Sequence, residues 1–214
     1  MNHPAPKTKV YRAIKEKLFG LGYEPGTRIR EDLLAKELST SRTAVREAID
    51  RLVSEGLIQS MPRRGLFVIT MTPSEIADLI DVREALESLA VIKCVDVMDT
   101  QGLEQLENII MAAEESLRKR NFKKCNQLDS EFHLKIAEAT GNGKLIKFLR
   151  EIEDFMQIAR AMEKKSQAQE RVETSLEQHW RIYRAIKSGD AATAAETVAR
   201  NIQQLRQHLG LISA

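Results

Sequence analysis

The sequence predicts a mainly α-helical chain in two parts: a compact N-terminal unit of three helices and a hairpin, then an all-α bundle of six helices. Three observations carry this reading. Turn residues and short apolar runs crowd the first seventy positions. A start signal, Thr72-Pro73-Ser74-Glu75, then opens a long helix. From there on the apolar residues recur at helical spacing, as in Leu145, Leu149, Ile152, Met156 and Ala159.

Each element has a local cause. A helix is expected from about Lys7 to Gly20, before the turn-forming pair Pro25-Gly26. A short helix follows around Glu31 to Leu38, and a third from Arg42 to Glu55, stopped by Gly56. Leu57 to Ser60 and Leu66 to Thr70 read as two short strands around the turn Pro62-Arg63-Arg64-Gly65. Three helices with such a hairpin make a winged helix-turn-helix. Thr72 as N-cap, Pro73 at the first helical position and Glu75 closing a capping box place the boundary, giving domains 1–72 and 73–214. Breaks at Thr100-Gln101-Gly102, Arg120-Asn121, Gly141-Asn142-Gly143, Lys164 to Gln169 and Gly189-Asp190 divide the second domain into its six helices.

Composition narrows the classes. With 43% hydrophobic residues the chain can build a real core. Its two cysteines, Cys94 and Cys125, have no CxxC spacing and read as packed thiols in a reducing compartment. The start MNHPAPKTKV carries no apolar signal stretch, and no run approaches the ~20 apolar residues of a membrane span. A cytoplasmic location, away from any membrane, is therefore expected. Residues 1–72 hold 13 Lys and Arg against 8 Asp and Glu, while the remainder holds 20 against 23. The basic half suits a polyanionic partner.

In the third helix Ser41 is the expected N-cap, leaving Arg42, Thr43 and Arg46 on the opening turns while Ala44, Val45, Ile49 and Leu52 pack inward. Those turns are what a recognition helix presents to the major groove. Arginine pairs bidentately with guanine, and Thr43 and the terminal amides suit phosphate, so Ser41, Arg42, Thr43 and Arg46 are candidate DNA-binding residues. Arg63 and Arg64 would meet the DNA backbone or minor groove, with Gly65 permitting close approach. Taken singly, each arginine favours an ordinary solvated surface. Together, their spacing favours double-stranded DNA. The segment resembles the GntR winged-helix regulators in Pro25-Gly26, Leu34-Ala35, Ser41-Arg42-Thr43, Val45-Arg46-Glu47-Ala48, Leu52, Glu55-Gly56-Leu57 and Arg63-Arg64-Gly65. The resemblance implies operator contacts at Arg42, Thr43 and Arg46 and a minor-groove approach at Gly65. Asp32 stands where some members carry a DNA-contacting Arg, so that contact is not carried over.

The second domain aims polar groups inward from four helices. Arg83 interrupts the stripe Ile76, Leu79/Ile80, Leu86, Ala90; Asn126, Asp129 and His133 share one stripe; His179 and Asn201 lie on two more. A carboxylate and two imidazoles are a ligand set for Zn²⁺ or a similar first-row divalent ion, with positions open for water or an organic acid. Arg83 is then placed to grip that acid's carboxylate. The alternative stays open: a buried His hydrogen-bonded in a core, and Asp129 with His133 as a simple ion pair.

Arg83-Glu84-Ala85-Leu86-Glu87, Asp129-x-x-Phe132-His133, Ser175-x-x-x-His179 and Gly189-Asp190 resemble the FCD effector domain of the FadR-type branch, over nearly the whole chain. That resemblance implies a divalent metal on one Asp and three His, and a carboxylate metabolite at or near it. Here Asn201 replaces the last His, a weaker neutral ligand, which loosens the expected hold on metal. The candidate metal set is Asp129, His133, His179 and Asn201; the candidate effector set is Arg83, Asn126, Ser175 and Asn201. The leading expectation is a non-enzymatic, homodimeric repressor or activator on a pseudo-palindromic operator, modulated by a small carboxylate effector. Two rivals are a metal-dependent hydrolase with Glu87 as base, and a helical adaptor lacking both DNA and metal affinity. His3 lies in an expected disordered tail, His208 sits near the C-terminal end, and Trp180 reads as core or interface.

Overall fold

The computed structural model describes residues 6–19, 23–161 and 168–211. His3 and most of the expected break at 164–169 lie outside them. The order is α1 (Pro6–Phe19), β1 (Arg28–Ile29), α2 (Glu31–Glu37), α3 (Arg42–Ser54), β2 (Ile58–Met61), β3 (Gly65–Val68), α4 (Pro73–Val95), α5 (Thr100–Arg118), α6 (Phe122–Ala139), α7 (Gly143–Ala161), α8 (Ala168–Ser188) and α9 (Ala191–His208). Two compact units result: residues 1–71 with 154–162, and residues 72–153 with 163–214.

The first unit is a winged helix-turn-helix. Its core is built by α1 and α3, whose Ile14, Leu18, Val45, Ile49 and Leu52 meet Leu34, Leu57 and Ile58, all nearly inaccessible. Ala48 is also buried, and Ala44 is only partly so. Ile158 and the partly buried Phe155 of α7 belong to the same cluster. Periodicity alone assigned this end of α7 to the bundle, because a helical stripe does not reveal which core receives it.

Gly56, at φ 78°, ends α3 in the left-handed conformation that only glycine adopts without strain. The chain then enters an antiparallel sheet of order β1-β3-β2, with Met61 opposite Gly65 and Ile58 opposite Val68. β1, only two residues long, was not foreseen; it pairs Arg28 with Phe67 and Ile29 with Leu66. Two residues leave no alternation to read.

The second unit contains α4, α5, α6, the first part of α7, α8 and α9. Thr72 and Glu75 form the full capping box expected for α4. α4 packs on α9 and α6, α5 on α6 and α8, and α8 on α9. The break foreseen at Thr100-Gln101-Gly102 is corrected: these residues form the first turn of α5, capped by Asp99, whose carboxylate accepts from Gly102 N at 2.7 Å. The missing side chain of Gly102 serves contact with Met98 Sδ, which would lie 2.2 Å from a Cβ there, so the glycine marks packing and not a chain break.

Leu52 is fully buried at the centre of the first unit. Leu52→Ala is expected to cost about 2–5 kcal/mol of stability, read as a lowered urea midpoint at unchanged slope.

Candidate functional site

In the first unit the expected DNA-facing residues share an exposed face of α3 or the tip of the β2–β3 hairpin. Ser41 is spent on its own helix: its side chain accepts from Ala44 N at 3.1 Å. That cap starts α3 and leaves Arg42 and Thr43 exposed on its first turn. Arg46, one turn on, is exposed and pairs with Glu31, Nη2 to Oε2 3.2 Å. In the hairpin, Arg64 N donates to Met61 O at 3.1 Å, closing a turn with Pro62 and Arg63 at its centre. Arg63 sits at φ 62°, where Gly or Asn is usual, so it is held in a left-handed strain that its own identity does not favour. Gly65, at φ 109°, lets the Arg28 guanidinium lie where a side chain would be, with Nε 3.2 Å from a would-be Cβ. Arg28 and Arg30 are further exposed cations that the sequence reading missed. Asp32 binds Arg30 at 2.8 Å, and this hydrogen bond holds its carboxyl below the ordinary range.

The second unit brings the inward polar residues together. α6 places Asp129 and His133 one turn apart, and α8 places Ser175 and His179 likewise. Asp129, His133 and His179 each offer a ligand atom, and these atoms lie within 4.8 Å of one another. The two imidazole Nε2 atoms stand 3.2 Å apart, and His179 Nε2 is 3.5 Å from Asp129 Oδ1. Phe132 stacks on His179 at 4.2 Å and meets His133 edge-on at 5.5 Å, walling the cluster with apolar surface. Ser175 Oγ donates to Asp129 Oδ1 at 2.9 Å and accepts from Asn201 Nδ2 at 3.3 Å. Asn201 thus reaches the cluster through Ser175.

The other two expected effector residues, Arg83 and Asn126, are likewise engaged within the protein. Arg83, only 2% exposed, directs Nε to Glu87 Oε1 at 2.6 Å, and the other oxygen of Glu87 is 2.5 Å from His133 Nδ1. Asn126 accepts from Arg171 Nη2 at 2.6 Å. Glu87 and Arg171 are both buried; Glu87 was expected only as the base of a rival hydrolase, and Arg171 was not foreseen. The i,i+4 spacing of Arg83 and Glu87 was the available signal for one of them; Arg171 offered none, because its partner is 45 positions away.

The electrostatics follow from burial. Loss of water pushes the His179 imidazole down to about 3, although nearby Asp129 opposes the shift, so it is neutral and has a lone pair to offer. Burial alone would raise Glu87, but Arg83 and His133 outweigh it and hold the carboxyl at about 2. Burial opposes the charge on Arg83, yet Glu87, Glu153 and Asp129 keep it protonated. One carboxylate and two imidazoles, converging with neutral His179, fit a first-row divalent ion by donor chemistry. Cys94 and Cys125 are buried free thiols, and burial pushes the Cys94 thiol up to about 12.

The model of the FCD domain matches residues 78–204, and that of the bacterial regulatory proteins of the gntR family matches residues 6–68. The chain belongs to the gntR family. This FCD-containing gntR regulator is 26% identical over 211 residues to the HTH-type transcriptional regulator YdhC of Bacillus subtilis, covering 98% of this chain and 93% of that protein. It is 29% identical over 182 residues to the Nta operon transcriptional regulator of Aminobacter aminovorans, covering 85% and 84%. Its fold matches the solved structure of McbR/YncC from Escherichia coli with a TM-score of 0.84 at 22% identity, over 95% of this chain and 96% of that one. The regulator is accordingly a DNA-binding transcription factor and not an enzyme. Among its described residues, no helix is long and apolar enough to cross a membrane.

The buried groups of this regulator dictate its response to acid. His179 titrates near 6.5 when unfolded and about 3 when folded, so below pH 6.5 the unfolded chain binds the extra proton and stability falls. Glu87 stabilises fully above its unfolded value near 4.5 and loses that contribution as pH falls toward about 2. Urea midpoints of chelator-treated protein are expected to decline from pH 6.5 downward and more steeply below 4.5. His179→Gln should flatten the upper part of that decline.

Proposed function

We propose that this regulator binds its operator in a sequence-specific way and that a small organic acid, bound at a divalent metal in the second unit, modulates that binding. The observation that carries the reading is the convergence of Asp129, His133 and His179 inside an FCD domain. These three residues would hold the ion, and Asn201 would bear on it through Ser175. Bound there, the ion supplies a positive anchor for an anionic oxygen ligand. Arg171 and Asn126 line the same interior and offer polar contacts beside it.

Residues 1–72 read the DNA in this proposal and residues 73–214 bind the effector. Arg42 and Arg46 contact bases, Thr43 contacts phosphate, and Ser41 positions all three by capping their helix. Arg63 and Arg64 meet the backbone or minor groove where Gly65 allows approach, and Arg28 and Arg30 extend the positive face. A homodimer would place two such readers on a pseudo-palindromic operator. The effector acts by binding the DNA-competent and DNA-free arrangements unequally.

Selection from a random duplex pool is expected to yield an inverted repeat; recovery of no preferred sequence would overturn the reading. On the selected site, Arg42→Ala should weaken binding by about 1–3 kcal/mol in fluorescence anisotropy. Arg63→Gly should relieve a left-handed strain of about 1 kcal/mol while lowering DNA affinity and its salt dependence. Elemental analysis of native protein, followed by thermal-shift screening of organic acids with and without chelator, tests the second half. A stabilisation by one acid that chelator abolishes is expected, and His179→Ala should remove it while leaving operator affinity intact.

A further inference from the structure

The contact between Glu87 and His133 has a consequence for the chemistry of the cluster. Glu87 Oε2 and His133 Nδ1 are 2.5 Å apart and both buried, and among the described residues neither has another hydrogen-bonding neighbour. A carboxylate oxygen facing an unprotonated imidazole nitrogen at that distance would set two lone pairs against each other. The proton of a neutral His133 therefore belongs on Nδ1, where it is donated to Glu87. Its Nε2 is left with a lone pair, and this is the atom turned toward His179 Nε2 at 3.2 Å, inside the group of ligand atoms. Arg83, through its 2.6 Å contact with the other oxygen, keeps Glu87 an ionised acceptor and fixes its plane. Arg83 and Glu87 lie one turn apart on α4, whereas His133 comes from α6, so one helix orients a ligand presented by another.

We propose that Glu87, braced by Arg83, is a positioning residue that fixes His133 as an Nε2 metal ligand, and that this pair supports the metal and does not grip the effector. The inference rests on the metal reading above and adds to it the tautomer, the donor atom and the residues that set them. An outer carboxylate of this kind does two things for a ligating imidazole: it selects the tautomer, and it makes the ligand more basic by drawing on the opposite N–H.

The test uses the full-length protein, stripped with chelator and titrated with Zn²⁺ against a competing indicator. Wild type should bind, Asp129→Ala should not, and Glu87→Ala should bind about 10- to 100-fold more weakly. Glu87→Gln retains an oxygen that can accept from Nδ1–H, so it should recover part of that loss. Histidine side-chain nitrogen NMR of the metal-free protein provides the second readout: His133 should carry its proton on Nδ1 in wild type and shift toward Nε2–H in Glu87→Ala. Absence of Zn²⁺ binding by wild type would overturn the metal reading and this inference with it. Binding by Glu87→Ala equal to wild type would overturn this inference alone. If Glu87→Ala does not fold, the wild-type spectrum and Glu87→Gln decide: an Nε2–H tautomer in wild type refutes the proposal.

Discussion

A carboxylate held between a guanidinium and an imidazole, all inside a helical bundle, is the constraint around which the second unit is arranged. Glu87 is buried, and its charge persists because Arg83 and His133 meet its two oxygens. Removing one partner would leave a buried charge uncompensated, a penalty larger than the pairing itself is worth. α4 and α6 must therefore meet in one register, with Phe132 filling the space against both imidazoles. From that register the rest follows: Asp129 lies one turn before His133, and Ser175 links Asp129 to Asn201.

The same logic separates two classes of polar residue that look alike in a one-dimensional stripe. Arg83 and Asn126 face inward, as their spacing suggested, yet both are engaged by protein partners. His179 and Asp129 face inward and converge with a third donor. Burial keeps His179 neutral and thereby suited to a metal, whereas the same burial is overcome at Glu87 by neighbouring positive charge. Charge in this interior is decided by the balance between burial and neighbouring charge: burial wins at His179 and the neighbours win at Glu87.

In the first unit the balance is reversed, because the cations of α3 and of the hairpin are solvated and the energetic demands fall on the backbone. Ser41 terminates the hydrogen-bond ladder of α3 and so exposes the turn that carries Arg42 and Thr43. Arg63 occupies a left-handed position at the hairpin tip, a cost accepted where a cation is presented to solvent. Asp32 engages Arg30 at the surface as a compensated pair.

The fold class, the winged unit and the capped start of α4 were legible in the sequence, because each rests on local periodicity or caps, and helical spacing also marked Asp129, His133 and His179 as inward polar groups. Gly102 was misread as a break and β1 overlooked, since neither a glycine's packing partner nor a two-residue strand leaves a periodic trace. Helix packing alone brings Glu87 onto His133 Nδ1, Arg171 onto Asn126, and the end of α7 into the cluster of the first unit. Those outcomes depend on which residues distant in the chain approach within hydrogen-bonding or van der Waals distance. That choice is made when helices pack, not when they form.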